Sequence, residues 1–313
     1  MAKETRRRDK FTPLTITMLV VLSIYVFLLA FLLLWAVMQV FKSGNDFTYN
    51  PIWWPRKNEF EVGFTLENFQ ALFTFAEEAS WTSSDATNTE KITLADIIFN
   101  SVSYSIGGAF VNTAAMCLMA YLAARYNYFY SKLIHTIVIV VMVIPIVGAQ
   151  ASEIAVLDAL GLYNTRFGFI ILKAGFVGLY FLVFYETFKS IPMTYSEAAM
   201  MDGASDWCIM TKICLPLTIN VFMTIMLITF IQYWNDYQMA MLYMPNYPTL
   251  SYFLFKAQST SANILIPNGE SVNASQPPFQ MAATVILMMP ILVIFVLLHE
   301  RLMGNLSIGG IKG

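Results

Sequence analysis

Long apolar runs separated by shorter polar segments dominate the hydrophobic pattern of this chain. The first run extends from about Leu14 to Phe41 without one charged residue. A helix that crosses a bilayer needs roughly 20 apolar residues, and because the hydrocarbon core holds no water, it must close its own backbone hydrogen bonds. The pattern predicts six such helices, at about residues 14–41, 97–124, 133–152, 167–188, 213–235 and 279–298.

Composition supports an all-α, polytopic membrane protein. Of the 313 residues, 58% are hydrophobic and 12% are charged, and the charged share is about half that of an ordinary soluble domain. This excludes a disordered chain, a disulfide scaffold and a standard soluble enzyme. The three cysteines form no C-x-x-C pair and the two histidines have no ligand spacing, so we predict reduced thiols and no metal site.

The distribution of lysine and arginine predicts the orientation. Segments on the side of the N-terminus hold 11 basic residues in 61 positions, whereas the opposite segments hold 6 in 112. The positive-inside rule therefore places both termini in the cytoplasm. The basic start, Lys3 to Lys10, resembles a signal peptide, but the apolar run after it is about twice too long. We interpret that run as an uncleaved first helix.

This topology divides the chain into two regions and leaves two long loops outside the cell membrane. Residues 1–96 hold the N-terminal tail, the first span and an outer loop, and residues 97–313 form a five-span core. The second outer loop, residues 236–278, is rich in Ser, Asn, Gly and Pro from Ser259 to Pro278. Loops of that length are usually functional or disordered. For this second loop, a docking surface for an external partner is favoured over a flexible connector.

The cytoplasmic loop of residues 190–216, here called the bracket, contains several capping and turn signals. Thr194 and Glu197 have the T-x-x-E spacing of a capping box, which predicts the start of a helix. Gly203 is suited to the left-handed end of that helix, and Ser205 is suited to cap the next one. The sequence therefore predicts a short helix, a glycine turn and a second helix.

The bracket also carries more apolar side chains than a solvated loop needs: Met200, Met201, Trp207 and Ile209. They either lie on the bilayer surface or fill a groove in a partner protein. The groove is the favoured interpretation, because the turn residues give the bracket a fixed shape and a lipid surface requires none.

These residues resemble a known family. The bracket contains Glu-Ala-Ala, then Asp-Gly, then Leu-Pro, and this spacing is similar to the EAA loop of ABC-importer permeases. Other positions also match that family: Asn100-Ser101, Pro145, Trp234-Asn235-Asp236 and the Gly-rich C-terminus. From about residue 65 onward, the chain resembles the six-span, maltose-type permease subunit of carbohydrate importers. The chain differs from that family in the outer loops, at residues 42–64 and 257–278.

The resemblance implies a type I ABC importer permease fold in the bacterial cytoplasmic membrane, spanning it several times. It implies import of a carbohydrate, in particular an oligosaccharide, by alternating access. The implied partners are a homologous second permease, two ATPase subunits, an extracytoplasmic solute-binding protein and the lipid bilayer, with no nucleic acid. No cofactor is expected on this chain, since ATP and Mg²⁺ are used by the ATPase subunits.

The resemblance also assigns roles within the bracket. In the family this loop is the coupling helix, which sits in a cleft of an ATPase subunit. The residues that match the coupling motif are Glu197, Ala198, Ala199, Asp202, Gly203, Leu215 and Pro216. The tail from Ser307 to Gly313 resembles a family tail that reaches between the ATPase subunits, with a frayed terminus as the alternative.

The chain shows no sign of an enzyme. It lacks the G-x-x-x-x-G-K-[ST] phosphate loop, and no Ser/His/Asp or Cys/His arrangement stands out, so no catalytic residue is predicted. A permease for a polyol or glycerol phosphate is the nearer alternative. A secondary transporter is less favoured, because it needs ionisable residues deep in its spans and five of the six spans contain none.

The transport path is the least specific part of the sequence. Asn100, Tyr104, Gly108 and Asn112 recur at four-residue spacing along the second span, so they share one face of a helix. Such a stripe permits close helix packing or lines a path, and packing is slightly favoured.

Other candidates for the path lie in the fourth and fifth spans. They are Tyr180, which is suited to stacking on a sugar ring, and the amides Asn220, Gln232 and Asn235. Lys173 and Glu186 fall near the two ends of the fourth span. Charges near the ends of a span reach the interface at low cost, and snorkelling is therefore favoured over a functional role.

Overall fold

The computed structural model describes residues 12–58, 61–78, 92–144 and 148–306, which are mainly helical. The basic N-terminus, Pro145 and the tail from Ser307 lie outside the described residues. In chain order the helices are α1 (Pro13–Gln39), α2 (Gly44–Tyr49), α3 (Glu67–Glu78), α4 (Leu94–Arg125), α5 (Phe129–Val143), α6 (Ala149–Ala159), α7 (Arg166–Leu172), α8 (Leu179–Ser190), α9 (Thr194–Met201), α10 (Asp206–Ile209), α11 (Leu215–Trp234), α12 (Tyr237–Tyr243), α13 (Leu250–Ser259) and α14 (Pro277–Leu306).

Two short antiparallel hairpins modify the all-α expectation. The strands are β1 (Lys57–Asn58), β2 (Glu61–Val62), β3 (Asn263–Leu265) and β4 (Ser271–Asn273). In the second hairpin Ile264 pairs with Val272, and both side chains are buried. The segment after Ser259, for which composition alone left a flexible connector as an alternative, therefore contains regular structure.

Four of the six predicted spans form helical runs that are long and apolar enough to cross a membrane. They are α1, α4, the continuous run Asp206–Trp234 and the first part of α14, Pro277–Val296. Helix α4 has 32 residues and is about 48 Å long, which exceeds the roughly 30 Å hydrocarbon thickness. It therefore extends beyond the apolar layer at one or both ends.

The third and fourth predicted spans differ from the expectation. Helix α5 ends at Val143, after 15 residues, and α6 starts at Ala149. The fourth span is not one continuous helix, because α7 and α8 are separated by the non-helical segment 173–178. This segment contains Gly175 and Gly178, and glycine weakens a helix. The prediction of a single helix from 167 to 188 was wrong.

One compact unit comprises residues up to Thr74 together with Gln258–Val285. In it, the segment after α1 turns back on itself, and the amide nitrogen of Asn68 donates hydrogen bonds to the carbonyls of Val40 and Lys42, each at 2.8 Å. The Lys42 side chain is buried and its ammonium donates to the Asn50 carbonyl. Burial lowers the pKa of Lys42, an effect that the nearby Asp46 carboxylate opposes.

The second unit comprises Phe75–Ala257 with the residues from Ile286 onward, and α4 lies at its centre. Helix α4 packs against α5, α7, α8 and α11. One core forms where Met116 and Ala120 of α4 meet Phe181, Phe184 and Phe188 of α8. Small residues on α4 permit this close packing.

Polar side chains of α4 satisfy backbone carbonyls of the segments around it. The Asn112 amide nitrogen donates to the carbonyls of Lys173 and Gly175, at 2.9 and 3.0 Å. These carbonyls lie where the helical pattern of the fourth span stops, so their helical partners are missing. In a region without water such groups require a partner within the protein, and Asn112 supplies it.

We expect Asn112→Ala to destabilise the chain, because it leaves both carbonyls unpaired. The predicted loss is about 1–3 kcal/mol in the free energy of unfolding. Thr136→Ala is the control, since this exposed hydroxyl bonds only within its own helix, and its effect should stay within about 0.5 kcal/mol. Denaturant unfolding of the purified chain in detergent measures both. Equal stability of the two variants would contradict the capping role of Asn112.

Candidate coupling loop and transport path

The bracket has the predicted helix–turn–helix form, but its first helix starts differently. Thr194 is the first residue of α9 and not its cap. The Glu197 amide bonds to the Met193 carbonyl at 3.0 Å, and no side chain caps the helix. The capping box predicted from Thr194 and Glu197 is therefore absent, because the helix begins one residue earlier than the pattern indicated. Glu197 is exposed.

The end of α9 is a Schellman motif centred on Gly203. Gly203 has a φ of +82°, its amide donates to the Met200 carbonyl at 3.0 Å, and the Ala204 amide donates to the Ala199 carbonyl at 2.9 Å. These are the two hydrogen bonds that define the motif, and the left-handed position strongly favours glycine. The glycine turn predicted from the sequence is confirmed, and it sets a fixed angle in the bracket.

The second half of the bracket continues directly into a membrane helix. The Ser205 hydroxyl caps α10 by accepting from the Cys208 amide at 3.4 Å, as predicted. A π-helical turn, Met210–Cys214, then joins α10 to α11. Pro216 lies in the first turn of α11. Proline has no backbone N–H, so it donates no hydrogen bond there. The predicted separate second helix is therefore the first turn of the fifth span.

Arg125, at the end of α4, holds the start of the bracket in place. One guanidinium nitrogen donates to the Ile191 carbonyl at 2.8 Å, and the other donates to the Ser196 hydroxyl. On the inner side of the bracket, Ala199 and Ala204 pack against the core between α4 and α8. The sequence did not indicate this role, since a basic residue after an apolar run is what the positive-inside rule alone predicts.

Five large apolar side chains of the bracket are exposed and are together called the coupling surface: Met193, Tyr195, Met200, Met201 and Trp207. Met201 is 89% exposed and Trp207 is 70% exposed. Ile209, which was grouped with them from the sequence, is instead buried at 3% and belongs to the core. Ala198, Asp202 and Gly203 are exposed beside this surface. Large exposed apolar side chains on a rigid element are typical of a protein contact.

The polar stripe of α4 makes contacts inside the chain. Besides the bonds of Asn112, the Asn100 amide donates to the Pro248 carbonyl at 3.2 Å and its oxygen accepts from Arg166 at 2.7 Å. A Cβ atom at Gly108 would lie 3.1 Å from the Tyr233 ring. These contacts support close packing, the first of the two interpretations of this stripe.

Tyr104 lies in an aromatic cluster with one cation. Its ring stacks on Phe169 and Tyr233, with centroids 4.3 and 5.5 Å away, and its hydroxyl donates to Asp236 at 3.2 Å. The Lys173 ammonium lies 5.1 Å from the Phe169 centroid and 4.9 Å from that of Tyr233. Lys173 lies at the break between α7 and α8, and its ammonium lies beside Tyr233 near the end of α11. That it snorkels to the end of a span stays a prediction.

The remaining path candidates do not converge on one site. Tyr180 is half-buried and packs against the core between α4 and α8. Asn220, Gln232 and Asn235 are exposed along α11, and the Asn235 amide bonds back to the Ile231 carbonyl at 2.8 Å. Arg166 and Asp236, which bind Asn100 and Tyr104, were not predicted, because their partners are more than 60 positions away in sequence.

Comparisons with known proteins identify the family. The model of the "Binding-protein-dependent transport system inner membrane component" family matches residues 116–305. The sulfoquinovosyl glycerol transport system permease protein SmoH of Agrobacterium fabrum is 26% identical, covering 90% of this chain and 88% of that protein. The diacetylchitobiose uptake system permease protein NgcG of Streptomyces coelicolor is 22% identical over 88% and 82%.

A third relative and a solved structure agree with this family. The maltose/maltodextrin transport system permease protein MalG of Vibrio parahaemolyticus is 27% identical over 69% of this chain and 72% of that protein. A chain from the crystal structure of a bacterial ABC transporter involved in import of the acidic polysaccharide alginate shares the fold, with a TM-score of 0.70 at 19% identity over 91% and 95%. This chain therefore belongs to the binding-protein-dependent transport system inner membrane components, the multi-pass permease subunits of ABC importers in the cytoplasmic membrane.

Proposed function

We propose that this chain is one of two permease subunits of an ABC importer for a carbohydrate, and that it works by alternating access. The observation that carries the proposal is the coupling surface on the bracket. Its angle is set by the Gly203 turn and its base is held by Arg125. A rigid apolar projection of this kind suits a cleft in a partner protein.

The energy for transport comes from two partner ATPase subunits in this proposal. The chain has no phosphate loop of the G-x-x-x-x-G-K-[ST] type, so in this proposal the ATPase subunits bind ATP and Mg²⁺. The coupling surface occupies a cleft on one ATPase, while Glu197 and Asp202 contact basic groups at its edge. Nucleotide-driven closure of the ATPases then moves the bracket and shifts the permease pair between inward-open and outward-open states.

The proposed substrate class rests on the relatives. Their names describe transport of sulfoquinovosyl glycerol, diacetylchitobiose and maltose or maltodextrin. The shared class is a carbohydrate, and an oligosaccharide is the favoured form. A polyol or glycerol phosphate is the alternative, and direct uptake measurements distinguish it.

The transport path is proposed to lie between this chain and a second, homologous permease. The α4 stripe is occupied by contacts within the chain, which leaves the exposed amides of α11 as the candidates. Asn220 and Gln232 lie on the mainly apolar helix α11, and Asn235 is the residue that ends it. Such groups are costly against lipid and are usually directed towards a partner helix or a water-filled path.

Six spans with both termini in the cytoplasm complete the proposed topology. The distribution of basic residues supports this orientation, and it places the β3–β4 hairpin outside. We propose that this hairpin contacts the solute-binding protein. Its strands are paired, and the Ala274 amide bonds to the Ala262 carbonyl at 3.1 Å, so the loop has a defined shape to present.

Glu197→Lys and Gly203→Val are each expected to abolish ATP-driven uptake while the protein still inserts. A Cβ atom at Gly203 would meet no heavy atom within 4 Å, so the expected cost of valine is the strain of the left-handed backbone, about 1–2 kcal/mol. Gly203→Asn is the matched control, because asparagine tolerates that conformation, and Glu77→Lys controls for charge reversal at an exposed acid. Uptake of a radiolabelled carbohydrate into proteoliposomes containing the assembled transporter is the measurement. Normal uptake by both test variants would contradict the coupling role.

Arg125→Ala is expected to loosen the bracket without unfolding the chain. The loss of hydrogen bonds from a charged group predicts amide exchange at least about tenfold faster between residues 193 and 204. Lys132→Ala, at an exposed basic residue nearby, is the control. Hydrogen exchange with mass spectrometry measures the effect. Unchanged exchange in the bracket would show that Arg125 does not hold it.

Deletion of Ser259–Asn273 is expected to impair stimulation by the solute-binding protein while the basal ATPase activity of the assembled transporter remains. The reason is that the docking hairpin is removed, whereas the bracket is untouched. Replacement of the same segment by a Gly/Ser sequence of equal length separates hairpin structure from loop length. The measurement is ATPase activity with and without binding protein. Full stimulation of the deletion variant would refute the docking role.

A further inference from the structure

An apolar groove of about 500 Å³ lies within the first compact unit, at the C-terminal end of α1. One wall is α1 itself from Phe31 to Met38, continued by Phe41, and the other wall is residues 52–54 with Phe64. Among the described residues that line this α1 groove, none is charged, and none is glycine, alanine or serine. The lining therefore consists of bulky apolar and aromatic side chains.

Contacts between the two walls give the α1 groove a defined shape. The Trp35 indole nitrogen donates to the Pro51 carbonyl at 3.1 Å, which ties the segment after α2 to α1. The Phe64 ring lies 6.2 Å from the rings of Phe41 and Trp54, measured between centroids. The groove is thus a feature of the packed structure and not the surface of a loose loop.

The α1 groove begins at the depth of the hydrocarbon core. Helix α1 has 27 residues and is about 40 Å long, which exceeds the roughly 30 Å hydrocarbon thickness by about 10 Å. Phe31 precedes the last residue of the helix, Gln39, by about 12 Å along the axis. Even if the whole excess projects at this end, the groove reaches the apolar layer. The apolar window of α1 is not buried inside the protein, so something else must cover it.

Two tryptophans mark the polar end of the α1 groove. Trp53 and Trp54 are 67% and 66% exposed, which is a large apolar surface to leave in water. Exposed charged side chains follow directly, at Arg56 and Lys57. Tryptophan is enriched at the level of the lipid headgroups, because its ring is amphipathic. The order of groove, tryptophan pair and charged residues therefore matches the order of hydrocarbon, headgroups and water in one leaflet.

The lining distinguishes a lipid from other occupants. A helix of a second permease is disfavoured, because membrane helices approach each other closely through small residues, which the described lining does not contain. A carbohydrate is disfavoured, because its hydroxyl groups need acceptors as well as donors. The strong polar side-chain groups of the described lining are indole N–H groups, which only donate. A hydrocarbon chain needs neither donors nor acceptors.

We propose that the α1 groove holds one acyl chain of a phospholipid, with Trp53 and Trp54 at the level of its headgroup. The bound lipid anchors the segment after α2 to the bilayer. A chain held in a shaped groove differs from bulk lipid, since it stays with the protein when the surrounding bilayer is removed. The site does not rest on the proposed function, because lipid binding requires no ATPase and no carbohydrate.

Photocrosslinking in the assembled transporter tests this site. The transporter carries the substitution Trp53→p-benzoylphenylalanine, is reconstituted in nanodiscs of dioleoyl phosphatidylcholine and is transferred into dodecyl maltoside before illumination. Mass spectrometry of the crosslinked peptide is expected to show an adduct with phosphatidylcholine. Leu265→p-benzoylphenylalanine is the matched control, at an exposed apolar residue of β3 outside the groove, and should give no lipid adduct.

Charged substitutions show whether the groove itself holds the lipid. Phe64→Asp and Ile52→Asp, each at an exposed lining residue, should lower the yield of the adduct at least about tenfold, because a charge opposes burial of a hydrocarbon chain. Leu265→Asp should leave the yield unchanged, and thermal unfolding shows that each variant is folded. An adduct with detergent alone, an adduct with a second copy or another subunit, no adduct, or unchanged yields from both groove variants would each overturn the proposal.

Discussion

Backbone carbonyls where helices stop or turn need hydrogen-bond donors, which the protein must supply wherever water does not reach. In the larger unit, three side chains of α4 meet this requirement. Asn100 binds the Pro248 carbonyl, Asn112 binds those of Lys173 and Gly175, and Arg125 binds that of Ile191. One long central helix thus satisfies the places where neighbouring elements stop or turn. The positions of the broken fourth span and of the bracket depend on these bonds.

The same arrangement suits a machine that is moved by a partner. The bracket has a defined angle, since Gly203 takes a left-handed conformation and Ala204 closes back on Ala199. Its second half continues without interruption into the run Asp206–Trp234, so in the proposed mechanism a displacement of the coupling surface would be transmitted along that helix. At the break after α7, the Lys173 ammonium lies beside the aromatic rings of Phe169 and Tyr233. This places one charged group in an otherwise aromatic cluster.

Local signals in the sequence were reliable where the interaction itself is local. Gly203 and Ser205 behave as predicted, because a left-handed turn and a hydroxyl cap depend on adjacent residues. The capping box at Thr194 failed although its spacing was correct. Ile209 was assigned to the exposed surface and is buried, since its environment is set by residues far away in sequence. The role of Arg125 was missed for the same reason.

Composition and the length of the apolar runs by themselves determined the class of protein and four of the six predicted spans, because burial in lipid acts on each segment separately. Local turn residues determined the form of the bracket. The tertiary structure alone decided which polar residues of α4 are used for packing and where the fourth span breaks. These features depend on contacts between residues as far apart in sequence as Asn100 and Pro248. No periodicity along the chain encodes such contacts, since they arise only when packed segments place donors and acceptors within hydrogen-bond distance.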